Sequence, residues 1–323
     1  MRIFLTGATG YIGGALAKRL AAAGHELTAL VRETSDTAAL EALGVELFPG
    51  DVTDRYSLRE GMSGADWVVH SAAVIDFGAG RERMWQVNVG GSENVASLAS
   101  KLGVGRVLNV SSMAAFGGSP ADGSPGTEES PPNRPLPGAY SVTKRAGADA
   151  FFGWAERGLK LNTVYPGLVY GPPGKRTGAN ALLRNVVKGR LPAVVGGEKV
   201  TRWVHVDDLV EGLVRVMERA EPGASYLMTG DAVRVAELVR QVARLAGVKP
   251  PRLELSPAVA GLLARLATPL LRLRGRRPPL VRDELQSLKR HWNFDDARAR
   301  ADLGWHPRTL AEGLPDTVAF LAT

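Results

Sequence analysis

Residues 4–20, FLTGATGYIGGALAKRL, place glycines at three-residue intervals between an apolar run and an amphipathic one. The apolar run predicts a β-strand, and Ile12, Leu16 and Leu20 recur every four residues, which predicts a helix over about 11–23. A glycine-rich turn at a helix N-terminus presents unpaired N–H groups at the positive end of the helix dipole. The stretch therefore predicts a binding site for a pyrophosphate group.

The spacing gives each glycine a separate role in such a turn. Gly7 permits the tight turn, Gly10 lets the backbone approach the phosphate, and Gly13 lets the helix pack closely on the strand. A tight strand–helix turn without a ligand is the alternative, and the surrounding βαβ pattern favours the dinucleotide site. The residues predicted to bind the cofactor here are Gly7, Thr9, Gly10, Tyr11, Ile12 and Gly13.

The first half of the chain alternates short apolar runs with helical patterns. Further strands are predicted at ELTALV, VELFPG, DWVVHSAA, RVLNVSS and KLNTVYPG. Apolar strands separated by helices indicate an α/β fold, a Rossmann-type doubly wound parallel sheet. This dinucleotide-binding domain is predicted at 1–166, with a return of the chain at about 204–230. Residues 167–203 and 231–323 are predicted to form a smaller, mostly C-terminal α/β substrate domain.

The composition is that of an ordinary globular protein. The 323 residues are 45% hydrophobic and 23% charged, and they include no cysteine. No stretch approaches the ~20 consecutive apolar residues of a membrane span. The absence of cysteine excludes disulfides and thiolate metal sites and fits a reducing compartment. We therefore expect a cytoplasmic protein without integral membrane association.

The net charge of +7 includes the basic run RLRGRR at 272–277. An arginine-rich solvated surface is favoured over an anion-binding patch, because no nucleic-acid recognition signature accompanies the run. No nucleic-acid partner is therefore predicted. The segment 257–277, which contains this run, is otherwise apolar and predicts a helix pair kinked at Pro269. It would pack on the second domain, form a lid over an apolar substrate or contact a membrane surface.

Two further strand ends carry residues suited to an adenosine group. At the end of the second strand, the guanidinium of Arg32 could hold a 2′-phosphate, while Glu33 and Asp36 leave an NAD interpretation open. After the third strand, Asp51 could accept a hydrogen bond from the adenine amino group, with Val52 packed on the ring. Asp51 could equally be a helix N-cap. The predicted cofactor is NADP, with NAD as the alternative.

A tyrosine and a lysine four residues apart open the predicted helix AYSVTKRAGADAFF. Tyr140 and Lys144 therefore share a helix face, and the ammonium group favours the phenolate. The pair can then exchange a proton with an alcohol or a ketone near neutral pH. Upstream, NVSSMAAFG places Ser111 and Ser112 at a strand end, where either hydroxyl could bind the reacting oxygen.

With these motifs the chain resembles the extended short-chain dehydrogenase/reductase family, and in pattern most the dihydroflavonol reductase and 3β-hydroxysteroid dehydrogenase members. TGATGYIG is similar to the family's glycine motif, WVHVDDLVEG to a hallmark of the extended branch, and DLGWHP to its closing segment. Counted back from Gly117, the family's catalytic hydroxyl falls on Ser112. The resemblance implies that Tyr140 transfers the proton, Lys144 binds the cofactor ribose and lowers the phenol's pKa, and Ser112 positions the oxygen.

The same resemblance implies further cofactor contacts. HSAA is similar to the family's cofactor-lining strand end, NVGGSENV to its helix with an asparagine, and YPGLVYGP to the segment that meets the nicotinamide. The cofactor contacts implied in this way are Ala72, Ala73, Asn88, Tyr140, Lys144, Pro166 and Val169.

Two departures from the family pattern narrow the predicted reaction. Family dehydratases carry an acidic pair after the catalytic hydroxyl, where this chain has Met113 and Ala114, so dehydration is not expected. Sugar-nucleotide members commonly carry an arginine where this chain has Thr201, and Arg202 points to the opposite strand face. The predicted function is hydride transfer between nicotinamide and a ketone or secondary alcohol of a bulky, largely apolar substrate. The alternatives are an NAD-dependent sugar-nucleotide epimerase and a non-catalytic dinucleotide sensor.

The remaining predictions concern substrate, metals and assembly. Asp76 and Phe77 follow the HSAA strand end at the mouth of the expected cleft, and with Met113 they are the predicted substrate contacts. No metal is predicted, because HVDD at 205–208 lacks further ligands and its aspartates are expected to cap the following helix. A small molecule is the expected partner, and the family resemblance suggests a homodimer.

Overall fold

Seven parallel strands form the central sheet of the computed structural model, which describes residues 1–75, 80–174, 178–273 and 282–323. Numbered along the chain, they are β1 (Arg2–Thr6), β2 (Glu26–Val31), β3 (Glu46–Pro49), β4 (Trp67–His70), β5 (Arg106–Val110), β6 (Leu161–Pro166) and β10 (Ser225–Met228). Their order is β10–β6–β5–β4–β1–β2–β3, with every neighbouring pair parallel. The predicted Rossmann-type doubly wound sheet is confirmed, and β10 adds a seventh strand beside β6.

Helices cover both faces of this sheet. They are α1 (Tyr11–Ala22), α2 (Ala38–Glu41), α3 (Arg59–Met62), α4 (Arg81–Trp85), α5 (Gly91–Leu102), α6 (Gly138–Ala155), α8 (Val206–Arg219) and α12 (Ala297–Leu303). A π turn, Gln86–Gly90, joins α4 to α5, and a 3₁₀ turn, Met113–Phe116, follows β5. The first core lies on the face of the sheet covered by α1 and α8, and the second core lies on the face covered by α5 and α6. Successive side chains of a strand point to opposite faces, so in β1 Leu5 belongs to the first core and Phe4 to the second.

The other elements build a third core. They are β7 (Leu168–Tyr170), α7 (Ala179–Val187), β8 (Val194–Val195), β9 (Val200–His205), β11 (Asp231–Arg234), α9 (Val235–Leu245), β12 (Glu254–Leu255) and α13 (Leu310–Ala322). Strands β11, β9 and β7 form one small sheet, and β12 pairs with β8. Helices α7, α9 and α13 pack with Trp203 of β9 in this core. The division into two domains at residue 166 stays a prediction.

The apolar segment near the C-terminus forms α10 (Pro257–Leu273), and α11 (Arg282–Leu288) follows. The expected division into a helix pair at Pro269 is wrong, since α10 continues to Leu273, and the kink itself stays a prediction. The helix buries Ala260 and Ala264 and exposes the larger side chains Val259, Leu262, Leu263 and Leu266. Residues 274–277 of the basic run lie outside the described residues. Within the described ranges, no helix has the length and hydropathy to cross a bilayer.

The cap of α8 also differs from expectation. His205, and not the aspartates after it, caps the helix, because its Nδ1 accepts a hydrogen bond from the Asp207 backbone N–H at 3.2 Å. Asp208 instead accepts from the backbone N–H of Arg308 at 3.0 Å and from its guanidinium at 3.1 Å. In the part of the chain that the structure describes, no group of three or more His, Cys, Asp or Glu side chains could hold a metal ion.

Candidate active site

The glycine loop joins β1 to α1 at the carboxyl edge of the sheet. Gly7 has a φ of +73°, and a Cβ there would lie 2.7 Å from the backbone nitrogen of Ala72, so only glycine fits. A Cβ on Gly13 would collide with the carbonyl oxygen of Gly7. Thr9 and Gly10 are exposed, and no side chain caps the start of α1. This bare helix N-terminus fits a pyrophosphate group.

The first residues of α1 are anchored to the rest of the molecule. The Tyr11 hydroxyl donates a hydrogen bond to the carbonyl oxygen of Gly171 at 2.6 Å, and Ile12 packs on the first core. Burial raises the pKa of Tyr11, so the phenol is neutral. The loop is therefore held against the segment that follows β7.

The predicted adenosine contacts differ in how free they are. Arg32 follows β2 and is exposed, and no acid in the described ranges forms an ion pair with it. The Asp51 carboxylate accepts hydrogen bonds from the backbone N–H of Thr53 at 2.9 Å and from Arg83 at 3.3 Å. Burial acts to raise the pKa of Asp51, but these bonds hold it below its ordinary value. Asp51 thus caps a turn, and its adenine contact, with that of the buried Val52, stays a prediction.

Ser112, Tyr140 and Lys144 come together at the carboxyl end of β5. Tyr140 lies in the first turn of α6 and shares a side-chain hydrogen bond with Ser112. One turn later, the Lys144 Nζ donates to the carbonyl oxygen of Val110 at 3.1 Å. Of the two serines, only Ser112 is bonded to Tyr140, since the buried hydroxyl of Ser111 has no partner within the described part of the chain. The trio therefore surrounds one point at the sheet edge.

Burial sets the charges of this trio. Lys144 is 8% exposed, and burial lowers the pKa of its ammonium group to about 8. Burial also raises the pKa of Tyr140, and the hydrogen bond with Ser112 opposes this rise. A neutral phenol beside a mostly charged lysine can give a proton to a carbonyl oxygen, and the ammonium group then stabilises the phenolate.

A buried hydrogen-bond chain, which the sequence did not reveal, lies below the trio. The His70 Nδ1 is 2.8 Å from the Thr6 hydroxyl, and its Nε2 is 3.4 Å from the Ser92 hydroxyl. Because Ser92 donates to the carbonyl oxygen of Asn88 at 2.8 Å, its oxygen accepts from Nε2–H, and Thr6 donates to Nδ1. Burial, with the Lys144 charge nearby, lowers the pKa of His70 to about 3, so the ring is neutral.

Asn88 extends this chain to α6. Its Oδ1 accepts from the Val74 N–H at 2.7 Å, and its Nδ2 donates to the Val74 carbonyl at 3.0 Å and the Thr143 hydroxyl at 3.1 Å. These bonds hold the backbone after Ala72 and Ala73 against α6. Asn88 therefore supports two predicted cofactor contacts, and its own contact with the cofactor stays a prediction.

The remaining predicted contacts are spread around the site. Pro166 ends β6 and is buried, and Val169 in β7 is partly buried against the first core. Met113 is 4% exposed and belongs to a cluster against which Tyr140 packs, so it forms part of the wall below the tyrosine. Asp76 and Phe77 lie outside the described residues.

Thr201 and Arg202, the positions compared above with sugar-nucleotide enzymes, both contact other parts of the protein. The Arg202 Nε donates to the Asn293 Oδ1 at 2.8 Å, and its Nη1 donates to the Gly230 carbonyl at 3.0 Å. Thr201 is buried and accepts from the Trp203 indole N–H at 2.8 Å. Arg202 therefore ties β9 to the C-terminal segment.

Comparison with known proteins gives a family match over most of the chain. The model of the NAD dependent epimerase/dehydratase family matches residues 3–228. Sterol demethylase protein B of Methylococcus capsulatus is 31% identical over 99% of this chain and 98% of its own length. The 2-alkyl-3-oxoalkanoate reductase of Stenotrophomonas maltophilia is 29% identical over 97% of each chain.

Among solved structures, the fold matches a UDP-glucose 4-epimerase of Thermus thermophilus in complex with NAD. The TM-score is 0.78 at 22% identity, over 99% of each chain, which shows a shared fold. The family match covers most of the chain and includes the glycine loop, the trio and the return through β10. The chain therefore belongs to the NAD dependent epimerase/dehydratase family and is an NAD(P)-dependent oxidoreductase.

Proposed function

We propose that the chain interconverts a ketone and a secondary alcohol on a bulky, largely apolar substrate, with NADP as the hydride carrier. The observation that carries the proposal is the hydrogen bond between Ser112 and Tyr140, with the buried Lys144 one turn further along α6. This trio lies at the same sheet edge as the bare N-terminus of α1.

The reaction proposed for these residues is the reduction of a ketone to a secondary alcohol. The glycine loop and Lys144 would hold a reduced nicotinamide cofactor, which would supply the hydride for the carbonyl carbon. Ser112 and Tyr140 hold the carbonyl oxygen, and Tyr140 gives that oxygen its proton, so that the ketone becomes an alcohol. Lys144 stabilises the phenolate that remains until a proton returns from solvent.

Arg32 supports NADP as the cofactor. It is exposed and unpaired within the described ranges, at the strand end where a 2′-phosphate would lie. Arg32→Ala should weaken NADPH binding about ten- to hundred-fold, because a charge-assisted contact with phosphate is worth about 1.5–3 kcal/mol. NADH, which lacks that phosphate, should bind as before and is the internal control. Equal weakening of both cofactors contradicts the NADP assignment.

Three observations support an apolar ketone as the substrate. One relative is named for a sterol and another for the reduction of an alkyl-substituted 3-oxo acid. Met113 and Ala114 offer no acid or base for dehydration. The guanidinium of Arg202 is bonded to Asn293 and Gly230, which leaves it unsuited to a sugar diphosphate.

The deciding experiment is NADPH oxidation by purified protein with a 3-oxosteroid and with a 2-alkyl-3-oxo acid. Turnover of either supports the proposal. Conversion of a UDP-sugar without added nucleotide, by protein that retains NAD through purification, favours the epimerase alternative instead. Tight NADPH binding without turnover of any ketone favours the dinucleotide sensor.

A cytoplasmic location and a homodimer belong to the same proposal. Cell fractionation tests the location, and analytical ultracentrifugation tests the homodimer.

A further inference from the structure

The N-terminus of the catalytic helix is capped by a residue from the far end of the chain. The backbone N–H of Ala139 donates to the Asp283 Oδ2 at 2.8 Å, across 144 sequence positions. Pro137, which precedes α6, provides no side-chain cap. A carboxylate at this place satisfies an unpaired N–H and interacts favourably with the helix dipole. Asp283 of α11 therefore replaces the local cap that α6 lacks.

Gly138 makes this close approach possible. Its φ is +78°, and a Cβ there would lie 2.7 Å from the Cβ of Asp283. The other carboxylate oxygen, Oδ1, lies 3.9 Å from the Arg81 guanidinium at the start of α4. The Asp283 side chain is 21% exposed, so it is mostly shielded from solvent. One carboxylate thus joins the first turns of α4, α6 and α11.

We propose that Asp283 is a positioning residue for Tyr140. Tyr140 directly follows Ala139, so the capped N–H belongs to the turn that holds the phenol against Ser112. Lys144 lies one turn deeper and is bonded to Val110, so it does not depend on this cap. The C-terminal segment therefore acts on the proton-transfer step and leaves cofactor binding alone. The inference rests on the proposed role of Tyr140.

The test compares Asp283→Ala with Asp283→Asn and a matched control. Asp231→Ala is that control, because Asp231 accepts from the Leu310 N–H at 2.7 Å in the first turn of α13, in the third core, where Thr309 and Glu312 also form a local capping box. Asp283→Ala should lower kcat for the best ketone by about 10- to 100-fold, the effect of a small misplacement of a reacting group. The KM for NADPH should stay within about twofold, since Lys144 and the glycine loop are unchanged.

The other two variants separate positioning from general stability. Asp283→Asn keeps an oxygen that can accept from Ala139, so it should restore most of kcat. Asp231→Ala should lower Tm without lowering kcat. The inference is overturned if Asp283→Ala keeps its kcat, if it raises the KM for NADPH as much as it lowers kcat, or if Asp283→Asn is as impaired as Asp283→Ala.

A parallel Tyr140→Phe variant separates failure of this inference from failure of the proposed function. If Tyr140→Phe loses turnover while Asp283→Ala keeps it, only the inference fails. If Tyr140→Phe keeps full turnover, or if the unaltered protein reduces no ketone, the proposed function fails and the inference fails with it.

Discussion

Replacing Lys144 with methionine should stabilise the cofactor-free protein while it removes most of the turnover. Burial lowers the pKa of Lys144 from 10.5 to about 8. At about 1.4 kcal/mol per pH unit, holding the charged ammonium in the fold costs about 3 kcal/mol below pH 8. Methionine fills a similar volume without charge. The variant also loses the hydrogen bond to the Val110 carbonyl, which costs about 1 kcal/mol of stability. The free energy of unfolding should therefore rise by about 2 kcal/mol at pH 7.

The stability difference between the variant and the unaltered protein should depend on pH. Between pH 8 and 10.5 the unfolded chain still binds a proton that native Lys144 has lost, so the stability of the unaltered protein rises with pH. The Lys144→Met variant lacks this rise. Its advantage should therefore be full at pH 7, fall to zero near pH 10 and become a small deficit above that, because the lost hydrogen bond still costs about 1 kcal/mol.

Thermal unfolding of the cofactor-free protein from pH 6 to 10.5 measures the effect. Because the entropy of unfolding is about 2.1 cal/mol/K per residue, a gain of about 2 kcal/mol corresponds to roughly 3 °C in Tm for 323 residues. Lys101→Met is the control, because Lys101 is exposed at the end of α5. If Lys144→Met lowers Tm at pH 7, or raises it equally at every pH, the burial cost assigned to this lysine is wrong.

Three other results are expected. Tyr140→Phe keeps the ring but loses the proton donor, so steady-state kinetics should show kcat about 10²–10⁴-fold lower, with NADPH affinity unchanged in a fluorescence titration. Gly13→Val forces a side chain against the Gly7 carbonyl, so the same titration should show weaker NADPH binding, whereas Gly153→Ala, in open space on α6, should bind normally. Below pH 6.5 stability should fall by up to about 1.4 kcal/mol per pH unit, since unfolding lets His70 take up a proton, and urea titrations of His70→Gln should show a shallower fall.

The parts of the fold that follow from local pattern were predictable. The glycine loop needs only a strand, three spaced glycines and a helix, and Tyr140 and Lys144 share a face because they are four residues apart on one helix. The parallel sheet follows from alternating apolar strands and helices, although no local signal gives β10 its place beside β6. The periodicity of apolar residues thus predicts helices and strands well, but it does not predict which distant strands lie side by side.

The supporting residues of the site could not be predicted, because their partners are distant in sequence. Asp283 lies 144 positions from the amide that it caps, and neither stretch has a pattern that points to the other. His70 stands in the motif HSAA, but its neutral tautomer depends on Thr6 and Ser92, on two other elements. The expected aspartate cap of α8 was wrong because a local rule favours Asp, whereas the His205 ring already accepts the amide hydrogen.

The route of the chain restricts how the third core can move against the large sheet. After β6 the chain enters the third core, and it returns to the large sheet through α8 and β10. It leaves again at β11 and comes back at α12 and Trp305, before it ends in α13. Trp305 is 1% exposed in the first core and donates to the Asp208 carbonyl at 2.7 Å. A rotation of the third core against the large sheet would have to bend the chain at all of these crossings together. Substrates of different size should therefore be accommodated mainly by side-chain and loop rearrangements, and not by such a rotation.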